Sequence, residues 1–65
     1  MNWDRVEGNW NEFKGKIRQQ WDELTDNDLE IIRGKRQELA GRLQRRYGYA
    51  KEEAEGEIDH WLRTH

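Results

Sequence analysis

Four bases, Lys35, Arg42, Arg45 and Arg46, stand at helical spacing within a stretch, residues 33–51, that holds seven Lys or Arg against one acid. Wound as a helix they share an arc of about 100°, on the side away from Leu39 and Leu43. Such a ridge can meet phosphate oxygens, because Lys and Arg release condensed counterions when they neutralise a nucleic-acid backbone. The flanks oppose it: residues 1–32 carry four bases and eight acids, residues 52–65 one base and five acids, and the whole chain is −2. A chain acidic overall, with no Gly-rich or aromatic platform beside its bases, is a poor nucleic-acid binder. The ridge is therefore read first as a solvated face, or as a weak anion or partner surface. Phosphate or nucleic-acid binding is the alternative.

Other constellations fail on their own chemistry. Asp26-Asn27-Asp28-x-Glu30 begins like a calcium loop, but Ile31 and Gln37 stand where the loop needs Gly and a carboxylate. His60 and His65 are the only imidazoles, and Glu57 with His60 supplies two metal ligands at most. There is no Ser and no Cys, and Thr25 and Thr64 are the only Thr, so no activated nucleophile is in reach. A 65-residue chain is also expected to lack room for a cleft of about 300 Å³ or more built from several elements. We expect no catalytic residue, no metal and no cofactor. Trp3, Trp10, Trp21 and Trp61 could stack on bases, but all four fall on helical apolar stripes, where core packing is the default. Trp3, at the helix end, is the candidate for an exposed aromatic contact.

The elements that would position these residues are helices. In Trp3, Val6, Trp10, Phe13, Ile17, Trp21 and Leu24 the apolar spacing alternates between three and four, which places all seven in an arc of about 80°. That predicts one long helix over 3–23, capped by Asn2 and weakened at Gly8 and Gly15 by about 1 kcal/mol each relative to Ala. Its first residues are expected to fray. Thr25-Asp26-Asn27-Asp28 reads as the capped start of a second helix, 26–33, ending at Gly34. A third runs over 35–47, with Arg45 and Arg46 in its last turn and Gly48 at the left-handed position beyond it. The fourth covers 49–63, its stripe being Ala50, Ala54, Ile58, Trp61 and Leu62 on an acidic background. The expected core is Trp10, Phe13, Ile17, Trp21, Leu29, Ile32, Leu39, Leu43, Tyr47, Ala54, Ile58 and Trp61. Residues 13–21 echo residues 39–47 in pattern, as a duplicated hairpin would, or as two amphipathic helices with basic ends would.

Composition bounds the rest. Leu, Ile, Val and Phe are 11 of the 65 residues and 40% are charged, which leans toward disorder. The small net charge and four Trp argue instead for one folded domain, 1–65, with a thin aromatic core. No Cys means no disulfide, the N-terminus carries no signal-peptide pattern, and no apolar run is long enough to span a bilayer. The mixed charges of the first helix do not suit a membrane surface either. A cytoplasmic monomer is expected.

Gly8-Asn9-Trp10, Phe13-Lys14-Gly15-Lys16, Trp21, Leu24-Thr25-Asp26 and Asp28 together resemble the CsbD-like family of bacterial general stress proteins. Ile32, Gly34-Lys35-Arg36, Leu39, Gly41 and Tyr47-Gly48-Tyr49 continue the pattern, so the resemblance runs from about Gly8 to Trp61. It is closest to the longer enterobacterial YjbJ-type members, and departs from the family mainly at Trp61–His65. The resemblance implies an all-α domain of two packed helical hairpins with short connections, SAM-like in character. It also implies an abundant cytoplasmic protein of stationary phase or general stress, without catalytic residues or cofactor. Such a protein would act as a hydrophilic protectant or through a weak protein partner, in line with its very low hydropathy.

Overall fold

Asn2 opens the chain's first helix by accepting the Arg5 backbone N–H on its side-chain oxygen at 3.3 Å. In the computed structural model, which describes residues 1–65, five helices follow in order: α1 Trp3–Gly8, α2 Trp10–Gln20, α3 Asp26–Ile32, α4 Arg36–Tyr47 and α5 Lys51–Thr64. The fold is all-α, and no helix is long and apolar enough to cross a membrane.

The predicted 3–23 helix is two helices. Asn9, at φ −125° and ψ 43°, leaves helical geometry and kinks the chain there. Its side-chain amide donates to the Arg5 carbonyl at 3.0 Å, the same carbonyl its own N–H reaches at 3.1 Å. An Asn side chain that offers the backbone a local partner weakens a helix interior, and Gly8 just before it has little helix preference to resist. Tertiary contacts then reward the bend. Val6 is fully buried, and the Trp3 indole N–H donates to the Gly34 carbonyl at 2.7 Å. At its other end α2 stops at Gln20, three residues before the predicted boundary, and Trp21–Leu24 form a turn whose two apolar ends are both buried.

The second start is built as the sequence indicates. Thr25 Oγ1 accepts the Asp28 N–H at 3.1 Å, and Asp28 Oδ2 accepts the Thr25 N–H at 3.0 Å, a reciprocal capping box. The helix closes one residue earlier than expected: Arg33 holds the left-handed cap at φ 45°, and Gly34 follows at φ 81°. Gly34 is confined for a second reason. A Cβ there would lie 3.0 Å from the Glu7 Cα, so the α3–α4 turn sits directly on the backbone of α1. Gly48 takes the C-cap of α4 at φ 72°, its N–H reaching the Gln44 carbonyl at 2.9 Å. Helix α5 starts two residues later than predicted, with Glu53 accepting the Ala50 N–H at 2.8 Å.

Helices α4 and α5 make the most extensive packing, as a tight hairpin, and α3 lies against α4. Arg36 of α4 clamps the hairpin by reaching Glu55 at 2.8 Å and Asp59 at 2.7 Å on α5. Trp61 is the hub of the core: Phe13 meets it edge-on at 6.2 Å and Trp21 tilts against it at 6.3 Å. Around them Ile17, Ile32, Leu39, Leu43, Ala54 and Ile58 are fully buried. Val6, Leu24, Ala40 and Leu62 join this core although the predicted set omits them, whereas Trp10 and Tyr47, which it includes, are half-buried at the margin. Val6 is buried because the first residues do not fray as expected but dock as α1 on the α3–α4 turn, and the turn after α2 folds Leu24 under. The echo between residues 13–21 and 39–47 places Phe13 with Leu39, Ile17 with Leu43 and Trp21 with Tyr47. All six face the core, but the two stretches end differently, at Trp21 with φ −126° and ψ 84° and at a left-handed Gly48.

Candidate functional site: the basic ridge of α4

Helix α4 carries the ridge, and α3 meets it with one carboxylate. Asp28 is fully buried, on the same face of α3 as Leu29 and Ile32. Arg46 grips it with both ends of its guanidinium, Nε to Oδ2 at 2.9 Å and Nη2 to Oδ1 at 3.0 Å. Arg42, one turn earlier, brings Nη1 to 3.5 Å from Oδ1, and only 18% of its side chain stays exposed. The capping N–H of Thr25 completes the set on Oδ2. A carboxylate taken out of water needs this many partners, since an unpaired buried charge costs several kcal/mol.

The electrostatics follow from the geometry. Hydrogen bonding from Arg46 is the chief cause that holds the Asp28 carboxyl at about 2, against a burial that alone would raise it. The bond and charge of Asp28 in turn raise the Arg46 guanidinium. Asp28 is therefore a fixed anion near neutral pH. It cannot serve as a general acid or base there, because such a group must exchange protons near the working pH.

The four ridge residues thus divide. Arg42 and Arg46 turn inward to neutralise Asp28, while Lys35 and Arg45 remain exposed without an ion-pair partner. The predicted single basic arc is reduced to two free cations ten positions apart, roughly 15 Å along the helix axis. Trp3, expected as an exposed aromatic, is half-buried against the core with its indole N–H occupied by Gly34. Docking on the α3–α4 turn accounts for the difference.

Sequence reasoning missed Asp28 as the centre of this site, although it found Asp28 as a cap. The missing signal was available: Asp28 precedes Leu29 by one and Ile32 by four, which sets it on the buried face of α3. A buried acid there demands a cation from the element packed opposite, and α4 ends in Arg45-Arg46.

Both threonine hydroxyls and the Tyr47 phenol are engaged close to helix ends. Thr25 Oγ1 caps α3, and Thr64 Oγ1 lies 3.1 Å from the Trp61 carbonyl. Tyr47 Oη accepts the Glu23 N–H at 3.1 Å and ties α4 to the turn after α2, with its ring stacked on Tyr49 at 5.3 Å. Burial, together with the nearby Asp22 and Glu23 charges, pushes the Tyr47 phenol up. His65 stacks on Trp61 at 4.7 Å and holds its Nδ1 3.0 Å from the Trp61 carbonyl, while His60 is exposed.

With this geometry in place, known proteins supply the relationship. A model of the CsbD-like family matches residues 4–56. The chain is 57% identical over its full length to a UPF0337 protein of Pectobacterium atrosepticum, of which it covers 94%. It is 54% identical over its full length to the UPF0337 protein YjbJ of Escherichia coli O6:H1, again covering 94% of that protein. Against a UPF0337 protein of Rhodopseudomonas palustris the identity is 52% over 98% of this chain and 97% of the relative.

Proposed function

The chain belongs to the CsbD-like family, and from that premise we propose that it is a general stress protein that works without catalysis. It acts in the cytoplasm, by abundance, as a hydrophilic protectant or through a weak partner. One observation carries the reading: the most perturbed ionisable group of the molecule, Asp28, is committed to structure. Active sites shift carboxyl values toward the working pH, whereas Arg46 and Thr25 drive this one away from it. The two aliphatic hydroxyls are likewise engaged at helix ends. What remains outward is mainly charge of both signs, which favours solubility and weak, reversible contacts.

The test is survival of a strain lacking the gene through stationary phase, osmotic upshift and drying. Loss of viability restored by the wild-type gene, and by a Lys35→Gln/Arg45→Gln version, is the expected result. Unchanged survival in all three conditions would defeat the proposal. A reading as a nucleic-acid binder is tested by the same double variant, which leaves the Asp28 ion pair intact. Reversing all four ridge charges would instead strip Asp28 of its partners and unfold the domain.

A further inference from the structure

An open cleft lies along α1 and α2 across the break at Asn9. It measures about 410 Å³, larger than chain length alone led us to expect, because it is an open angle between elements and not an enclosed chamber. Arg5 of α1 and Lys16 of α2 line it from opposite sides of the kink, with Asn9 at the elbow and His65 closing the far end.

Eight of the twelve Lys and Arg make no ion pair, and this cleft alone is lined by two of them. Acids outnumber Lys and Arg by 14 to 12, and Arg18, Arg36, Arg42 and Arg46 are all paired with carboxylates. Arg5 and Lys16 are exposed and have no such partner. Lys16 Nζ stands 5.2 Å from the centre of the Phe13 ring, a cation–π contact that holds the ammonium at the cleft wall. Asn9 uses one amide hydrogen on the Arg5 carbonyl and has a second to give. The Met1 ammonium also borders the cleft, but it is engaged by the Leu62 carbonyl at 3.2 Å. Glu12 is the one acidic side chain in the lining. The neighbouring cleft between α2 and α3, about 430 Å³, is a weaker candidate because Lys14 is its one unpaired cation, its Arg18 is already paired with Asp26, and Glu30 adds a second acid.

We propose that the α1–α2 cleft binds a small anion of the phosphate class, with Arg5 and Lys16 neutralising its charge and the Asn9 amide donating to one oxygen. Two unpaired cations from separate helices line the one cleft, so both can lend charge to such an anion, and the guanidinium offers a paired donor edge. Glu12 limits the affinity, so its neutralisation tightens binding.

The experiment is a titration of the isotope-labelled full chain by NMR with inorganic phosphate, and separately with a phosphate monoester, at constant ionic strength. Saturating shifts at Arg5, the Asn9 side-chain amide, Lys16 and His65 are expected. Arg5→Gln and Lys16→Gln, both at exposed positions, each weaken binding about tenfold, or about 1.4 kcal/mol, and Glu12→Gln strengthens it. Whichever anion saturates at lower concentration identifies free phosphate or a phosphorylated small molecule as the source. Shifts that stay linear for both anions and spread equally to Lys35 and Arg45 overturn the proposal. Saturation that ignores all three substitutions overturns it as well.

Discussion

Replacing Asp28 by Asn removes one charge from the best-connected buried group of the molecule while keeping its size. The Asn side-chain oxygen can still accept the Thr25 N–H, and Thr25 Oγ1 still accepts the backbone N–H of residue 28, so the capping box survives. What goes is the carboxylate that Arg46 grips at 2.9 and 3.0 Å. In the folded wild type the carboxyl lies at about 2 against 3.8 for the free group. That difference corresponds to about 2 kcal/mol of folding stability at neutral pH. The sign is that of a depressed acid. The contribution is fully present above about pH 5, shrinks as the pH falls below about 4, and is gone below about 2. In a domain of this size such a loss lowers Tm by roughly 10 °C. Urea unfolding followed by tryptophan emission reads it directly, since Trp21 and Trp61 are buried. Asp28→Asn should lose about 2 kcal/mol at pH 7, and its deficit relative to wild type should close as both are titrated from pH 5 to pH 2. A deficit that is absent at pH 7, or that stays constant across that interval, would refute the ion-pair account.

The glycines give two further expectations with opposite signs. Gly34→Ala should destabilise more than Gly48→Ala: both carry positive φ, but only at Gly34 would the new Cβ press on backbone, 3.0 Å from the Glu7 Cα. Gly48→Ala should cost about 1 kcal/mol, and thermal melts of the two variants rank them. Conversely, Gly41 and Gly56 lie inside α4 and α5 with open space where a Cβ would stand. Alanine at either should stabilise by up to about 1 kcal/mol, seen as a rise in the urea midpoint without a change in slope.

Helix content, the Thr25 capping box, the Gly48 stop and most of the core were legible along the chain, because each depends on neighbours within one or two turns. Phe13, Ile17, Leu39, Leu43 and Ile58 announce themselves by spacing on their own helices, and Trp61 shares the stripe of Ile58. The break at Asn9 was not legible: the apolar stripe runs straight through it, and only the docking of Trp3 and Glu7 against Gly34 makes the bent form the better one. The candidate sites divide in the same way. Lys35, Arg42, Arg45 and Arg46 are one ridge when α4 is considered by itself. Packing against α3 converts two of them into the counterions of Asp28 and leaves the other two in water. The cleft at Arg5 and Lys16 is closed by His65 from the far end of the chain, a neighbour that only folding supplies. Local spacing determines which residues share a face, since that is a property of helical winding. Which charges remain free is decided by what each face meets, and for this chain that depends on contacts between residues far apart in sequence.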